Sequence, residues 1–252
     1  MNKTSLDRDL AREGVAKLAM KLRARDMLSE EEEQVLRDAV SETRVIEAGR
    51  IMVRDGTLVE ESTLLIDGVI GRYKDLANGD RQIQELHVSG DFVDLHGFLL
   101  KRLDHNVGTV SRCRVAIVPH LALKRITESY PHLSRLLWFS TMLDASIQRE
   151  TILSVGRRAA LARIAHLICE MSLRLHAVGL GDATRFMLPM KQMDIADATG
   201  LTSVHVNRML KQLRDQGMLT FRNGEAVIHD WDRLARTAEF DRAYLHLELI
   251  PR

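Results

Sequence analysis

Residues 188–215 read LPMKQMDIADATGLTSVHVNRMLKQLRD, and this stretch decides how the rest of the chain is interpreted. A short helix beginning near Lys191 must end at Gly200, because a tight turn is least costly for a residue without a Cβ. Thr202 then stands where its hydroxyl can cap the start of a second helix. The spacing predicts two short helices around a glycine turn, which is the layout of a DNA-reading helix-turn-helix.

The second helix has two different faces. One face repeats at i, i+4 and i+7, as expected for a helix packed on a core; it consists of Val206, Leu210 and Leu213. At about 100° per residue, the residues opposite this stripe point outward together; they are Val204, Arg208 and Lys211, with Asn207 on the flank. Such a face offers a major groove a bidentate donor for guanine, an amide for adenine and a methyl contact for thymine. An ordinary helical hairpin with a solvated basic face is the alternative that this segment alone leaves open.

A hairpin pattern follows the two helices. Residues 218–228 contain two short apolar runs on either side of Arg222-Asn223-Gly224, and Asn-Gly is the strongest short signal for a β-hairpin. A helix-turn-helix followed by a hairpin is a winged helix, in which Arg222 at the wing tip can reach a phosphate. From position 157 to 222 there are ten Lys and Arg residues against five Asp and Glu. Positive charge is therefore concentrated in this module, although the formal net charge of the chain is +1.

Length and composition limit the class of protein. The 252 residues suffice for one large or two ordinary domains with a sizeable core. No apolar run approaches the roughly 18 residues of a membrane helix, and no signal-type segment follows the N-terminal charges, so we expect a cytoplasmic protein outside the membrane. Cys113 and Cys169 stand far apart without cysteine neighbours, which argues against structural zinc and an all-cysteine iron–sulfur cluster. A single redox-reactive thiol remains open.

The first half of the chain changes texture twice. Residues 5–25 have a helical pattern, and Ser29 with Glu32 has the spacing of a capping box that opens a second helix toward Ala39. From residue 43 to residue 118, short β-rich runs alternate with turn residues. The predicted strands lie near residues 43–47, 51–53, 63–66, 69–73, 82–88 and 115–118. Many short strands at nearly regular spacing favour a sandwich or jelly roll over a parallel sheet.

A long helix is predicted from Pro131 to Val155, with the proline in its first turn. An apolar stripe with a repeat near 3.5 residues follows it; its members are Leu133, Leu136, Leu137, Ser140, Leu143, Ile147 and Ser154. We interpret this stripe as the seam of a two-helix dimer, because a palindromic operator requires two reading heads related by two-fold symmetry. Packing of the stripe on its own domain is the alternative.

Together these parts resemble the Crp/Fnr family of bacterial transcription regulators over nearly the whole chain. The most specific matches are Gly156-Arg157 with residues 161–166, Leu188-Pro189 with residues 192–196, and residues 206–208 with residues 210–213. The resemblance implies an α+β fold in three parts. Residues 1–130 would form N-terminal helices and a sensory double-stranded β-helix, a cyclic-nucleotide-binding-like jelly roll. Residues 131–155 would form the dimerisation helix, and residues 156–252 the winged helix-turn-helix with a C-terminal tail.

The resemblance also implies roles for individual DNA-facing residues. Arg208 corresponds to the arginine that family members use on guanine, and Ser203, Val204 and Asn207 correspond to the other base-facing positions. Many members have a glutamate at the position of Val204; because valine accepts no hydrogen bond, we expect a different operator, with a thymine methyl as its target. Phosphate contacts are assigned to Lys191, Gln192, Lys211 and Arg222, for which simple solvation is the alternative. Thr202, at the start of the recognition helix, completes the predicted set.

The sensory half departs from the family's nucleotide-binding pattern. At the position of the glutamate that binds the ribose this chain has Leu95. At that of the arginine that binds the cyclic phosphate it has Leu103 or Asp104, with Arg102 one residue away as the alternative register. The Thr-Ser pair that reads the adenine corresponds to Gln148-Arg149. A buried phosphate without a cation is costly. The resemblance therefore implies control by another small molecule, by a cysteine redox change or by protein abundance alone, rather than by cyclic AMP.

Other functional classes are weighed against this one. His96 and His105 invite a haem or metal, but two histidines without a supporting carboxylate pattern are more often packing residues, so no cofactor is predicted. A small-ligand or redox sensor acting through protein partners would show no base preference. An enzyme on a cupin-like barrel would require a His-x-His with downstream ligands, and only His96 occupies that neighbourhood.

We therefore predict a homodimeric DNA-binding regulator without enzymatic activity. Its predicted partners are double-stranded DNA and a second copy of the chain, with RNA polymerase left open as a third. The C-terminal tail from Trp231 carries a helical apolar stripe, and we expect it to pack on the winged helix or on the sensory domain.

Overall fold

The computed structural model describes residues 3–250, with side chains from Asp9 onward. The N-terminal half contains, in chain order, α1 (Lys3–Arg23), α2 (Glu30–Asp38), β1 (Glu42–Ile46), β2 (Ile51–Val53), β3 (Glu61–Asp67), β4 (Ile70–Asp75), β5 (Arg81–His87), α3 (Gly97–Leu100), β6 (Asn106–Thr109), β7 (Cys113–Pro119) and α4 (His120–Ser129). The C-terminal half contains α5 (Pro131–Arg157), α6 (Ala160–His176), β8 (Arg185–Met187), α7 (Gln192–Thr199), α8 (Ser203–Asp215), β9 (Leu219–Arg222), β10 (Glu225–Ile228), α9 (Trp231–Ala238) and a 3₁₀ turn at Arg242–Leu245.

The described residues divide into two units. The first comprises the chain up to Arg72, the segment His87–Ala145 and the tail from His246 onward. The second comprises Tyr73–Leu86 and Ser146–Leu245. Both α5 and the β4–β5 hairpin therefore contribute residues to each unit. None of the described helices combines the length and apolarity needed to cross a bilayer.

The first unit contains one complete sheet, with a core on each side of it, and part of a second sheet. The strand orders are β1-β7-β3 and β2-β6-β4-β5, and β7 pairs antiparallel with both β1 and β3. Alternation along β7 sends Val115 and Ile117 to an interior cluster shared with Val107 of the other sheet. The intervening Ala116 and Val118 join an outer cluster under the helices. The predicted α+β class with a β-rich N-terminal region is confirmed.

Six of the seven strands of the N-terminal half were predicted from the sequence. The six predicted strands match β1 to β5 and β7 within about two residues at each end, the usual uncertainty of boundaries. The strands β6 and β8 were missed. The sequence of β6 is Asn-Val-Gly-Thr, too short and too glycine-rich to give a periodic signal, and its strand state depends on pairing with its neighbours in the sheet.

The N-terminal helices follow the predicted pattern. At the start of α2, the Glu32 amide donates to Ser29 Oγ at 3.1 Å, and the Ser29 amide donates to Glu32 Oε2 at 3.0 Å. This is the expected capping box. The apolar side of α1, including Val15, Leu18 and Leu22, is buried in the outer cluster of the first unit. Helix α1 therefore forms part of the hydrophobic core of that unit.

The apolar stripe on α5 that was predicted as a dimer seam packs within its own chain, so this prediction is wrong. Leu133, Leu136 and Leu137 are buried in the outer cluster of the same chain, and Leu143 and Ile147 are also buried within the monomer. The exposed apolar face of α5 is a different one, marked by Trp138, Met142, Ile152 and Leu153. Periodicity identifies an apolar stripe, but it does not tell whether the covering surface belongs to the same chain.

The C-terminal tail is fixed to α6 in the second unit. Leu234 and Ala238 on α9 are buried, as their helical spacing predicts. Leu245 is buried as well, but it lies in the 3₁₀ turn after α9 has ended, so the predicted stripe does not continue along one helix. Tyr244 Oη donates to Glu170 Oε2 at 2.8 Å, and burial followed by the nearby Glu170 carboxylate raises the pKa of the tyrosine. From His246 onward the tail belongs to the first unit, where the Ile250 amide donates to the Arg25 carbonyl at 2.9 Å.

Both cysteines are buried thiols. Cys113 lies in the interior cluster between the sheets, and its Sγ donates to the Val69 carbonyl at 3.3 Å. Burial raises the pKa of Cys113 to about 11 and that of Cys169 to about 12. Since the thiolate is the reactive form, neither environment favours reaction with oxidants at neutral pH.

We expect Cys113 and Cys169 to react slowly with a thiol reagent at pH 7.5 in the native chain, because burial holds both in the thiol form. Time-resolved labelling followed by mass spectrometry measures this. The same chain in denaturant, where both thiols become accessible, is the control. Native labelling as fast as in denaturant would contradict the expectation and restore the redox alternative.

Candidate DNA-binding surface

The turn between α7 and α8 is built on Gly200. This residue has φ +64 and caps the end of α7 in the left-handed conformation, which glycine adopts without steric penalty. A Cβ at this position would lie 3.1 Å from Val155 Cγ1 and 3.4 Å from Gln82 Oε1. Glycine is therefore required here for its backbone conformation and for close packing.

Two side chains hold this turn from the inside. Arg163 on α6 donates from Nη1 to the Thr199 carbonyl at 3.1 Å and from Nε to the Arg158 carbonyl at 2.8 Å. Gln82 on β5 donates from Nε2 to the Asp197 carbonyl at 2.9 Å. The bonds to the Thr199 and Asp197 carbonyls satisfy groups in the last turn of α7, where carbonyls have no partner within the helix. They fix the end of α7, and with it the start of α8.

Helix α8 begins and packs as predicted. Thr202 is its N-cap, and the Thr202 side chain accepts from the His205 amide at 3.3 Å. Val206, Leu210 and Leu213 are buried, as the stripe requires, together with Met209. Val204 on the opposite side is 77% exposed, and Asn207, Arg208 and Lys211 are also exposed, whereas Ser203 is half-buried.

The base-facing and phosphate-facing candidates occupy the exposed surface of the two helices. Asn207 Nδ2 donates to Gln192 Oε1 at 3.3 Å, so an amide pair bridges α8 and the start of α7. Lys191 is the N-cap of α7, and its amide donates to Asp194 Oδ2 at 2.6 Å. Among residues 3–250 no ion pair is formed by Arg208 or Lys211, which leaves both charges available to a ligand.

The wing has the predicted turn. Asn223 and Gly224, with φ +52 and +77, form a two-residue connection between β9 and β10, and two positive φ values are typical of a type I′ hairpin turn. Arg222 is exposed at the end of β9. The Leu188 amide donates to the Gly224 carbonyl at 2.6 Å. This bond ties the wing tip to the segment that leads into α7.

A third strand, which the sequence did not reveal, supports the wing. The sheet order is β8-β10-β9, and Arg185 Nε on β8 lies 2.8 Å from Glu225 Oε1 on β10. Arg163 and Gln82 were likewise not recognised as supports of the turn. Their bonds link residues 36 and 115 positions apart in the chain, and no local pattern signals such distant contacts.

The acidic side chains of α7 are engaged in the structure of the helix. Burial raises the pKa of Asp194 above its ordinary value, and the bond from the Lys191 amide works in the opposite direction. Burial likewise raises the pKa of Asp197, against the charge of Arg81. With these acids partly buried, the exposed side of α8 and the wing tip presents Arg208, Lys211 and Arg222.

Comparison with known proteins supports the same assignment. A family model described as the Crp-like helix-turn-helix domain matches residues 162–237. The nitrogen fixation regulation protein FixK of Bradyrhizobium diazoefficiens is 30% identical over 179 residues, covering 69% of this chain and 72% of that protein. This chain belongs to the Crp/Fnr family of transcriptional regulators.

Two further Crp/Fnr proteins match over most of the chain. The fumarate and nitrate reduction regulatory protein of Escherichia coli is 24% identical over 215 residues, covering 85% of this chain and 86% of that protein. The structure of FixK2 from Bradyrhizobium japonicum has a TM-score of 0.71 and 26% identity, covering 77% of this chain and 96% of that one. The present chain is accordingly a DNA-binding transcription regulator.

The residues at the nucleotide positions of this Crp/Fnr regulator belong to its hydrophobic cores. Leu95, at the position of the ribose-binding glutamate, is buried in the outer cluster. Leu103, one candidate for the position of the phosphate-binding arginine, is buried in the interior cluster. Neither side chain offers a polar group to a nucleotide.

The histidine pair near these positions comes together in space. The ring centroids of His96 and His105 are 5.1 Å apart, and Asp104 Oδ1 lies 2.9 Å from His105 Nδ1. Burial, followed by the charge of Arg72, lowers the pKa of His96 to about 3, which leaves its ring neutral at physiological pH. Within residues 3–250, no third His, Cys, Asp or Glu completes a metal site with the pair.

Substitution of Gly200 by alanine tests the turn. We expect Gly200→Ala to lower the free energy of unfolding by more than the roughly 1–2 kcal/mol cost of a left-handed alanine, because its Cβ would also press on Val155. Gly217→Ala is the matched control, since Gly217 has φ +70 but an added Cβ would meet nothing within 4 Å. Urea denaturation measures both values. Equal losses for the two variants would show that close packing at Gly200 contributes nothing.

Proposed function

We propose that this Crp/Fnr regulator binds a palindromic operator as a homodimer, with α8 of each subunit in the major groove. Residues 1–130 are assigned to sensing, residues 131–155 to dimerisation and residues 156–252 to DNA binding. We infer a regulatory rather than an enzymatic role, and we propose a cytoplasmic location because the proposed ligand is DNA. The observation that carries the proposal is the pair of exposed, unpaired cations on α8, Arg208 and Lys211, whose helix is buried on its opposite side.

The proposed contacts divide into base readers and phosphate binders. Arg208 reads guanine, Val204 meets a thymine methyl, and Asn207 with Ser203 completes the base-facing set. Lys211 and Arg222 bind phosphates, one from the helix and one from the wing tip. Lys191 and Gln192, at the start of α7, are also assigned to the phosphate backbone of the DNA. Thr202 caps the recognition helix. Exposure of the four charged or amide side chains at Arg208, Asn207, Lys211 and Arg222 supports this division.

The proposed dimer uses the exposed stripe of α5. Trp138, Met142 and Ile152 are 68%, 50% and 72% exposed, and large apolar side chains on one helix face favour a partner. Three more residues, Ala145, Arg149 and Gly156, fall on the same stripe. The six positions are separated alternately by four and three residues. That spacing is the heptad repeat of a two-stranded coiled coil. Arg149 is the polar residue of this seam, and a polar residue at a core position of a coiled coil helps to fix the register of the two helices.

We further propose that cyclic AMP does not control this regulator. A buried nucleotide requires an acceptor for its ribose hydroxyl and a cation for its phosphate. Leu95 supplies neither and is instead committed to the outer core. Gln148, where family members read the adenine, is bonded to Glu85, with Nε2 and Oε2 3.0 Å apart.

Two variants test the division between base and phosphate contacts on a site selected from a random double-stranded DNA pool. Arg208→Ala should lose about 1–3 kcal/mol of preference at one base pair of each half-site. Lys211→Ala should weaken specific and random DNA alike and reduce the slope of log K against log salt by about 0.9. Fluorescence anisotropy titrations across salt concentrations measure both.

Arg236→Ala, which removes an exposed arginine of α9 outside the proposed surface, is the control and should change neither quantity. Enrichment of a two-fold symmetric site with half-sites about one helical turn apart supports a dimer. Equal losses on specific and random DNA for both variants would refute the assigned roles. Failure to enrich any sequence would count against direct readout and favour action through protein partners.

The dimer seam is tested by Ile152→Asp. A carboxylate at this apolar position of the seam must be desolvated, so we expect the dimer dissociation constant to rise at least about tenfold, corresponding to about 1.4 kcal/mol. Sedimentation equilibrium measures it. Leu121→Asp is the matched control, because Leu121 on α4 is similarly exposed, at 65%, but lies outside the stripe. An unchanged dimer in Ile152→Asp would show that association uses another surface.

A further inference from the structure

A cavity of about 600 Å³ opens between the two sheets of the first unit. Its walls come from β1, β2, β3 and β7 and from the segment between β2 and β3. This volume lies within the range of pockets that hold small molecules, and the mouth of a β-barrel is a common place for them. All of the lining residues belong to the first unit.

Half of the cavity wall is apolar: seven of its fourteen lining residues have apolar side chains, and the others are polar or charged. Val59 and Ile117 are buried members of the interior cluster, and Met52 packs against that cluster while only half-buried. Ile51 and Leu58, at the opening, are exposed. Apolar surface therefore remains accessible to water at this opening. Apolar surface exposed to water in a concave site favours an apolar occupant.

One end of the cavity is polar and buried. Asp94 lines it and is 1% exposed, and its Oδ1 accepts from the Thr63 amide at 2.6 Å. Burial raises the pKa of Asp94 to about 6, against the bond from Thr63 and the charge of Arg72. A carboxyl in this environment is stabilised by any cationic donor that replaces its lost hydration.

The arginines near this carboxyl are bonded to other groups. Arg72 donates from Nε to the Val93 carbonyl at 2.6 Å and from Nη2 to Asp144 Oδ2 at 2.9 Å. Arg44, which also lines the cavity, donates to Glu61 Oε1 at 2.7 Å and pairs with Glu42. At the buried end an anionic occupant would thus meet the Asp94 carboxylate, whereas Arg54 and Glu60 lie on the exposed part of the lining.

The cavity is separate from the positions of the family's nucleotide site. Its lining contains neither Leu95 nor Leu103, nor Asp104, and none of the α5 residues that correspond to the adenine-reading pair. Asp94, which does line it, is the residue before Leu95. Leu95 is thus buried in the outer cluster, whereas the neighbouring Asp94 lines the cavity.

We propose that this cavity is a binding site for a small amphipathic molecule whose cationic, hydrogen-bond-donating head group pairs with Asp94 and whose apolar body packs on Met52, Val59 and Ile117. The site is independent of the DNA-binding surface, because its lining residues all lie in the first unit. It would give this regulator a route to sense an organic amine or amidine.

Three probes of equal chain length separate the head group from the body: hexylamine, hexanol and hexanoate. Isothermal titration of the full-length protein without DNA measures their affinities. We expect hexylamine to bind at least about tenfold more tightly than hexanol, a difference of about 1.4 kcal/mol, and hexanoate to bind most weakly. Comparable binding of all three probes, or no binding of hexylamine, would overturn the proposal.

Two variants locate the binding. Asp94→Asn retains the shape of the side chain but removes its charge, and should weaken hexylamine binding at least about tenfold, or about 1.4 kcal/mol, with little effect on hexanol. Ile51→Trp, at the exposed opening, should weaken hexylamine and hexanol together by filling the cavity. The control is Asp67→Asn, since Asp67 pairs with Arg114 and lies outside the lining. Unchanged hexylamine binding in both Asp94→Asn and Ile51→Trp would place the amine elsewhere and reject the site.

The pH dependence provides a readout that survives if Asp94→Asn fails to fold. Hexylamine remains a cation between pH 5 and pH 8, as alkylammonium groups titrate near pH 10, whereas the Asp94 carboxyl becomes protonated below about pH 6. Affinity should therefore fall as the pH drops from 7.5 to 5. The charged groups that act on this carboxyl are Arg72 and Glu61. A pH-independent affinity would contradict pairing with Asp94.

Discussion

The left-handed backbone at Gly200 sets the direction in which α8 leaves α7, and every proposed base contact depends on that direction. The turn is held on both sides of the glycine: Arg163 and Gln82 bind the last carbonyls of α7, and the Thr202 side chain accepts an amide of α8. Because the supports come from α6 and β5, the reading helix is positioned by elements distant in sequence. A side chain on the outer face of α8 can then be presented at a fixed angle.

Local signals were sufficient for the parts of the site that are built locally. Gly200 is a residue type that favours a left-handed turn, Thr202 one that favours a helix N-cap, and Asn223-Gly224 a pair that favours a hairpin turn. The helix-turn-helix and the wing tip could therefore be predicted from the sequence. The supports at Arg163 and Gln82 could not, because arginine and glutamine are common on surfaces and their partners are far away in the chain. The strands β6 and β8 were missed for a related reason, since pairing with neighbours stabilises them.

The error on α5 has a physical origin that applies to any long helix between a core and a partner. Two apolar stripes run along it, and Leu133 and Trp138 represent the buried and the exposed one. The buried stripe is richer in leucine and gives the stronger periodic signal, yet it is covered by the same chain. In the sensory half, Leu95 and Asp94 show a similar limit. The resemblance located the departure from the nucleotide pattern, but only the fold shows that Leu95 is buried in the outer cluster while Asp94 lines the cavity.

The chain leaves the first unit after Ala145 and returns to it at His246, where the Ile250 amide binds the Arg25 carbonyl beyond the end of α1. In the order of the polypeptide, most of the winged helix is thus inserted into the unit that precedes it. A stop codon placed after the sensory strands would remove part of that unit as well as the DNA-binding module. A sensory fragment made by simple truncation would lack its last segment, whereas joining residue 145 to residue 246 by a short linker would keep it.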